Sequence, residues 1–270
     1  MRVLTVLLLK GKGMQRYAVT LFSLIALAVL ASSSAIAAKK TIIIEADEWC
    51  PINCAPGNYE GIGIDLARKV FEPMGYEIKY VIVPWTKALA DVRSGEIYAV
   101  VGANRNDDNT LVFPDIPVTT ITDDFFVRAS SPWQYQGVHT LKNKRIGVIE
   151  SYGYGDVVTS FLQQNRNTVH LIHTATGNNA LMENVEKLVN GQLDIVVENR
   201  TVIEQALKNY EHKDKIKWAG GVPQAPVYLA FSPVLPESKQ LAAYYDAAIR
   251  RMRRDGSLKT LYAKYGLTPP

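Results

Sequence analysis

An uninterrupted β-branched run, Thr41-Ile42-Ile43-Ile44, predicts a buried strand. The period changes over residues 64–71, where Leu66, Ala67, Val70 and Phe71 recur at helical intervals and Gly75 follows as a C-cap. Residues 78–83 form the next strand, stopped by Pro84. Residues 86–93 form a second helix and Ala99-Val100-Val101-Gly102 a third strand. Alternating strands and helices predict a mostly parallel sheet covered on both faces. The pattern then restarts. Residues 145–149, 169–172 and 194–197 read as strands, and 153–162, 180–189 and 202–209 as helices. The two units are similar in size, with no visible sequence repeat. Phe125-Phe126-Val127 and Val227-Tyr228-Leu229-Ala230-Phe231 are extended runs flanking the second unit. An amphipathic helix follows over residues 236–254, with Leu241, Tyr245, Ala248, Ile249 and Met252 on one face. A short helix over 257–265 ends the chain.

If the second unit is inserted into the first, two crossing strands join two α/β halves. Open α/β sheets bind ligands beyond the carboxyl ends of their strands. Two such crevices facing each other make a cleft that closes around a small molecule. The segments that matter are then those following strands: 47–59, Trp85, 102–107, 150–154 and 198–200. Tyr152 and Tyr154, lying between glycines, suit a ligand-lining loop.

Charge and the N-terminus narrow the field. Of 30 basic residues, Arg2, Lys10, Lys12 and Arg16 precede residue 38, where no acidic residue occurs; the rest of the chain holds 26 of each sign. A neutral body has no general grip on a phosphate backbone, so nucleic acid is not an expected partner. Arg250, Arg251, Arg253 and Arg254 sit in the last turns of a helix, where cations oppose the dipole and face water. Residues 1–37 read as a secretory signal: cationic Arg16, an apolar run over 17–31, then Ala35-Ile36-Ala37. Met14 alone would begin a well-formed signal. The apolar run is shorter than the ~20 residues a membrane span needs. In the oxidising compartment this implies, Cys50 and Cys54 read as a local disulfide. A metal site would need further ligands, which the four histidines do not supply at zinc-like spacing, and a redox dithiol more usually reads C-x-x-C.

Gly61-Ile62-Gly63-Ile64-Asp65-Leu66-Ala67 resembles the G-x-x-[IV]-D-[IL]-A signature of family 3 bacterial extracellular solute-binding proteins, the periplasmic receptors of polar amino-acid ABC importers. Leu141-Lys142-Asn143-Lys144-Arg145-Ile146-Gly147-Val148 is similar to that family's second-lobe opening. The segments 189–197 and 254–266 resemble its L-x-x-G-x-[VL]-D-A-x-[VL] and C-terminal D-G-[ST] motifs. The four occur in family order behind an export signal. The resemblance implies an α/β, two-lobed periplasmic-binding-protein fold of type II, two Rossmann-like lobes joined by two hinge strands. It divides the chain into a signal peptide (1–37), lobe 1 (38–122 and 227–270) and lobe 2 (123–226). It implies a monomer that binds without catalysis or cofactor and serves an ABC permease in the inner membrane.

The same resemblance implies ligand contacts from Trp49, Tyr59, Trp85, Asn104, Arg105, Ser151, Tyr152, Glu198 and Asn199. Two of these depart from the family pattern. Arg105 stands in a segment about two residues shorter than the one that usually carries the carboxylate-binding Arg. Asn199 falls where an Asp usually meets the ligand ammonium, with Glu198 beside it. Asn cannot neutralise an ammonium, and a buried unpaired charge is costly. The ligand is therefore expected to be small and polar or zwitterionic. Plainer readings accompany these: Trp85 as core packing, Arg105 as a surface ion pair, Glu198 as a structural cap. Trp49, in a polar cysteine-bounded loop, is expected to be an exposed stacking residue. Two rival functions share the fold. One is a periplasmic enzyme of cyclohexadienyl-dehydratase type, with Glu198 or Glu150 as acid/base. The other is a free-standing sensory receptor that signals to a membrane partner.

Overall fold

In the computed structural model the β-branched run becomes β1 (Lys40–Ala46), an inner strand of the first lobe's sheet. The structure describes residues 40–270 except 166, 167, 169, 223 and 224. The signal-peptide expectation, and the start of the strand expected at Val169, lie outside the described residues.

The first sheet has the order β2-β1-β3-β10-β4. β1 lies parallel to β2 (Tyr76–Ile82) and β3 (Ala99–Ala103), whereas β10 (Ala225–Phe231) runs antiparallel to β3 and to β4 (Thr119–Ile121). α1 (Ile62–Phe71), α2 (Trp85–Ser94), α6 (Ser238–Asp255) and α7 (Ser257–Ala263) belong to this lobe. The apolar stripe of α1 buries Ile64, Leu66, Val70 and Phe71 against Ile42, Ile44 and Tyr245 of α6. Phe71 meets Phe231 edge-to-face at 6.1 Å. Each such side chain contributes about 1.5–3 kcal/mol by burial. The four arginines of α6 are exposed, as a solvated face requires.

The second sheet has the order β7-β6-β8-β5-β9. β6 (Ile146–Ile149) lies parallel to β7 (Ile172–Ala175) and β8 (Ile195–Glu198), while β5 (Asp124–Arg128) runs antiparallel to β8 and β9 (Ile216–Gly221). Strand alternation divides its core. Phe125, Val127, Ile195 and Val197 pack on one face; Phe126 and Val196 join Val185, Leu188 and Ile203 on the other. The helices of this lobe are α3 (Asp156–Asn165), α4 (Ala180–Val189) and α5 (Arg200–Ala206). The chain crosses between the sheets twice, from β4 to β5 and from β9 to β10.

Several boundaries differ from the sequence reading. The helix expected from residue 153 begins at Asp156, because Gly153, Tyr154 and Gly155 run extended between the lobes. β7 reaches through His173 and Thr174 to Ala175, since pairing with Ile146–Ile149 sets its register, not its own apolar run. The helix expected over 202–209 starts at Arg200 under an Asn199 cap. β4 and β9, unmarked in the sequence, each occupy one edge of their sheet, where a strand needs little apolar signal.

Candidate functional site

The site grows from the ends of strands. β1 ends at Ala46, and the next residues turn at once: Trp49 N–H donates to Asn53 O at 2.7 Å, while Ile52 and Asn53 N–H donate back to Trp49 O. The Cys50–Cys54 disulfide closes this turn. Trp49 is thereby fixed, and at 6% exposure it is buried, not the exposed stacking residue expected. The reason is the opposite lobe: its indole N–H donates to Glu198 Oε1 at 2.8 Å.

Around this contact lies a small cavity of about 30 Å³ between the lobes. From the first lobe come Asp47, Trp49, Trp85, Asn104 and Asp107, and from the second Tyr152, Gly153, Tyr154, Glu198 and Asn199; Ile121 and Asp123 line it at the crossing. Direct bonds seal the two walls together. The Tyr152 hydroxyl donates to Asp47, Asn104 Nδ2 to Gly153 O, and Asn106 Nδ2 to Tyr154 O at 2.8 Å. Gly153 passes so near the first lobe that a Cβ there would stand 2.3 Å from Asp107 N.

Four carboxyl groups share this space, and each is held above its usual range chiefly by burial. Asp47 is pushed up to about 6, against the pull of the Tyr152 hydroxyl. Asp107 is pushed up to about 7, although Asn104 N–H (2.6 Å) and Gly153 N–H both donate to it. Asp123 rises to about 6 while accepting Gly155 N–H at 2.6 Å. Glu198 is pushed up furthest, to about 8, with Asp47 and Asp123 adding like charge. Its Oε1 accepts from Trp49 and from Asn199 N–H (2.7 Å), but its buried Oε2 has no partner among the described residues. No Lys, Arg or His among the described residues lines the cavity. Among the described residues no three His, Cys, Asp or Glu side chains are grouped to hold a metal ion.

The structure brings six of the nine expected contact residues to this cavity: Trp49, Trp85, Asn104, Tyr152, Glu198 and Asn199. Trp85 also packs with Val83, Ala88 and Leu89, so lining and packing coexist in one ring. Its indole N–H has no hydrogen-bond partner of good geometry and steadies Asp107 only at longer range. Asn199 caps α5, its Oδ1 accepting from Thr201 N (3.0 Å) and Val202 N (3.4 Å), so the cap is Asn199 and not Glu198.

Three expected residues lie elsewhere. Tyr59 packs at a tilt against Tyr265, ring centres 4.4 Å apart, and donates to Lys264 O. Arg105 is exposed, its guanidinium 4.6 Å from the Phe113 ring centre and 5.6 Å from that of Tyr228. The shortened segment explains this, because the tight turn from Asn104 to Asp107 presents Asp107, not Arg105, to the cavity. Ser151 is exposed with φ 61°, a turn that carries the chain on to Tyr152. Glu150, considered as an acid/base, is also exposed. The sequence reading missed Asp47, Asp107 and Asp123 as lining groups. The signal available was position, since Asp47 and Asp107 fall inside strand-end segments already singled out and Asp123 at a lobe crossing.

The sequence model of the bacterial extracellular solute-binding proteins, family 3, matches residues 42–268. No protein of curated function matches the sequence. Among solved structures, a histidine kinase sensor domain with similarity to periplasmic binding proteins superposes with TM-score 0.71 at 16% identity, over 86% of this chain and 99% of that one. An ancestral arginine-binding protein bound to arginine gives 0.68 at 18%, over 84% and 99%. A putative L-cystine ABC transporter from Listeria monocytogenes gives 0.65 at 18%, over 84% and 95%. At such identities these likenesses establish the fold alone, the two-lobed type II periplasmic-binding-protein fold.

Proposed function

This chain belongs to the bacterial extracellular solute-binding proteins, family 3, and from that premise we propose that it captures a small polar or zwitterionic solute, of amino-acid size, by closing its lobes and presents it to an ABC importer. The observation carrying this reading is the interlobe cavity, sealed by residues of both walls and holding a buried carboxylate oxygen without a partner. A solute that bridges both walls stabilises the closed state by its differential affinity for it. The lobes divide as 38–122 with 227–270 against 123–226. Residues 1–37 direct export to the periplasm, a compartment in which the Cys50–Cys54 disulfide persists. The protein acts as a monomer and without turnover.

A second reading is favoured by the sensor-domain likeness: the closed form is read by a membrane kinase instead of a permease. Neighbouring genes for a permease and ATPase support import, and a kinase gene supports sensing. The binding reading itself is tested with the exported protein in a thermal-shift screen of amino acids, amines and small carboxylates, followed by small-angle scattering. At least one solute should raise Tm, as a ligand of the native state does, and reduce the radius of gyration. A screen without any hit, or turnover of the bound solute, ends this proposal.

A further inference from the structure

We infer that the solute is a small organic cation with N–H donors, a protonated amine, amidine or guanidine, and that it bears no carboxylate. This rests on the solute-binding reading and narrows it.

The first argument is charge. Asp47, Asp107, Asp123 and Glu198 line one cavity that no cationic side chain among the described residues enters. A zwitterion would place its own carboxylate among them without a counter-charge, and burying an unpaired ion is expensive. Arg105, the residue expected to offset it, lies outside against Phe113.

The second argument is donor supply. A ligand carboxylate needs several free N–H groups, and the protein has already used most of those near the cavity, the Trp85 indole N–H excepted. Asn104 N–H and Gly153 N–H serve Asp107, Gly155 N–H serves Asp123, and Asn199 N–H serves Glu198. The side-chain amides are also engaged, Asn104 with Gly153 O and Asn199 with Thr122 O. Asp107 thus sits as a built-in carboxylate on the donors that a bound acid would require.

The third argument is the unmet acceptor. Glu198 is 3% exposed, lines the cavity, and its Oε2 receives no hydrogen bond. Such an atom is costly to bury unless a partner reaches it. Once Glu198 is ionised, a ligand N–H is that partner. The aromatic walls suit the same guest, because Trp49 and Tyr152 meet at 80° with centroids 6.5 Å apart and offer π surface beside the carboxylates. A metal ion is the poorer candidate, given the absence of any ligating trio among the described residues. Burial keeps Glu198 protonated in the empty site at neutral pH, so uptake of a cation beside it would expel that proton.

Isothermal titration of the exported protein with matched pairs tests the inference. Agmatine and arginine differ by one carboxylate, as do putrescine and ornithine; tetramethylammonium has charge but no N–H. The decarboxylated partner should bind at least tenfold more tightly in at least one pair, with tetramethylammonium weaker than either amine. Glu198→Gln should reduce amine binding at least tenfold while the unliganded variant still unfolds cooperatively at pH 7. Asp107→Asn gives a second reading should that variant misfold, with amine affinity again falling. Equal or tighter binding of arginine and ornithine overturns the inference and leaves the receptor reading standing. So does binding of a neutral or anionic solute when no cation binds. If nothing of any charge class binds, it is the receptor reading that fails, and this inference with it.

Discussion

Replacing Glu198 by Gln in the unliganded protein should change how stability depends on pH. The Glu198 carboxyl titrates near 4.5 when unfolded and near 8 in the folded cavity. Between those values the native state holds a proton that the unfolded state releases, so wild-type stability falls as pH rises. Below pH 4.5 both states are protonated and nothing is lost. From 4.5 to 7 lie two and a half pH units, each worth about 1.4 kcal/mol, so the penalty reaches about 3 kcal/mol at pH 7 and levels off above about 8. Gln does not titrate. Its amide buries an NH₂ where Oε2 has no partner, but that cost is the same at every pH. The slope, not the absolute stability, is therefore diagnostic. Asp47 and Asp123, the charges that act on Glu198, and Asp107 titrate in both proteins. Lobe separation would let water reach the carboxylate, which makes the figure a ceiling. Urea unfolding at pH 4.5, 7 and 9 should show the variant gaining on wild type with each step up to about pH 8. Parallel curves across that range would refute the assignment of Glu198 as a buried, uncompensated acid.

The other outcomes are more local. Gly153→Ala should leave both lobes folded but stop them meeting, since the added methyl would strike the backbone at Asp107; solute affinity should drop at least tenfold with little change in Tm, and unchanged affinity would mean the lobes do not meet there on binding. Affinity for an amine should rise from pH 6 to 8, because a cation binds the ionised forms of carboxyls held near 6, 7 and 8, and flat titrations across that span would contradict the cavity's charge. Reduction of Cys50–Cys54, a bridge between residues four apart, should cost at most about 2 kcal/mol in denaturant unfolding; a loss well beyond that would give the disulfide a role larger than holding the Trp49 turn.

Much of the scaffold was legible because its central strands carry their own signal. Ile42 and Ile44 form a run that has to be buried, and α1 and α4 show their apolar stripes directly. β4 and β9 were invisible because an edge strand can be short or polar and takes its place from its neighbour's backbone. The cavity was half legible. Loops at strand ends drew attention to Trp49, Trp85, Asn104, Tyr152 and Glu198, and these line it. The direction of a side chain within a turn was not legible: Arg105 and Asp107 are two residues apart, and only the closing bond from Asp107 N to Asn104 O decides which one faces inward. Tyr59 was misplaced for the same reason, its loop folding toward Tyr265.

The two passages between the sheets have a consequence for how such a molecule can be remade. Ile121 pairs with Ala225, and Asp124 with Gly221, so the inserted segment leaves and re-enters its host at neighbouring points, about 5 Å apart across the ladder. A stretch that starts and ends at one doorway can be exchanged as a cassette. Transplanting it would replace one wall of the cavity while the remaining wall, and the frame that carries it, stayed as they were.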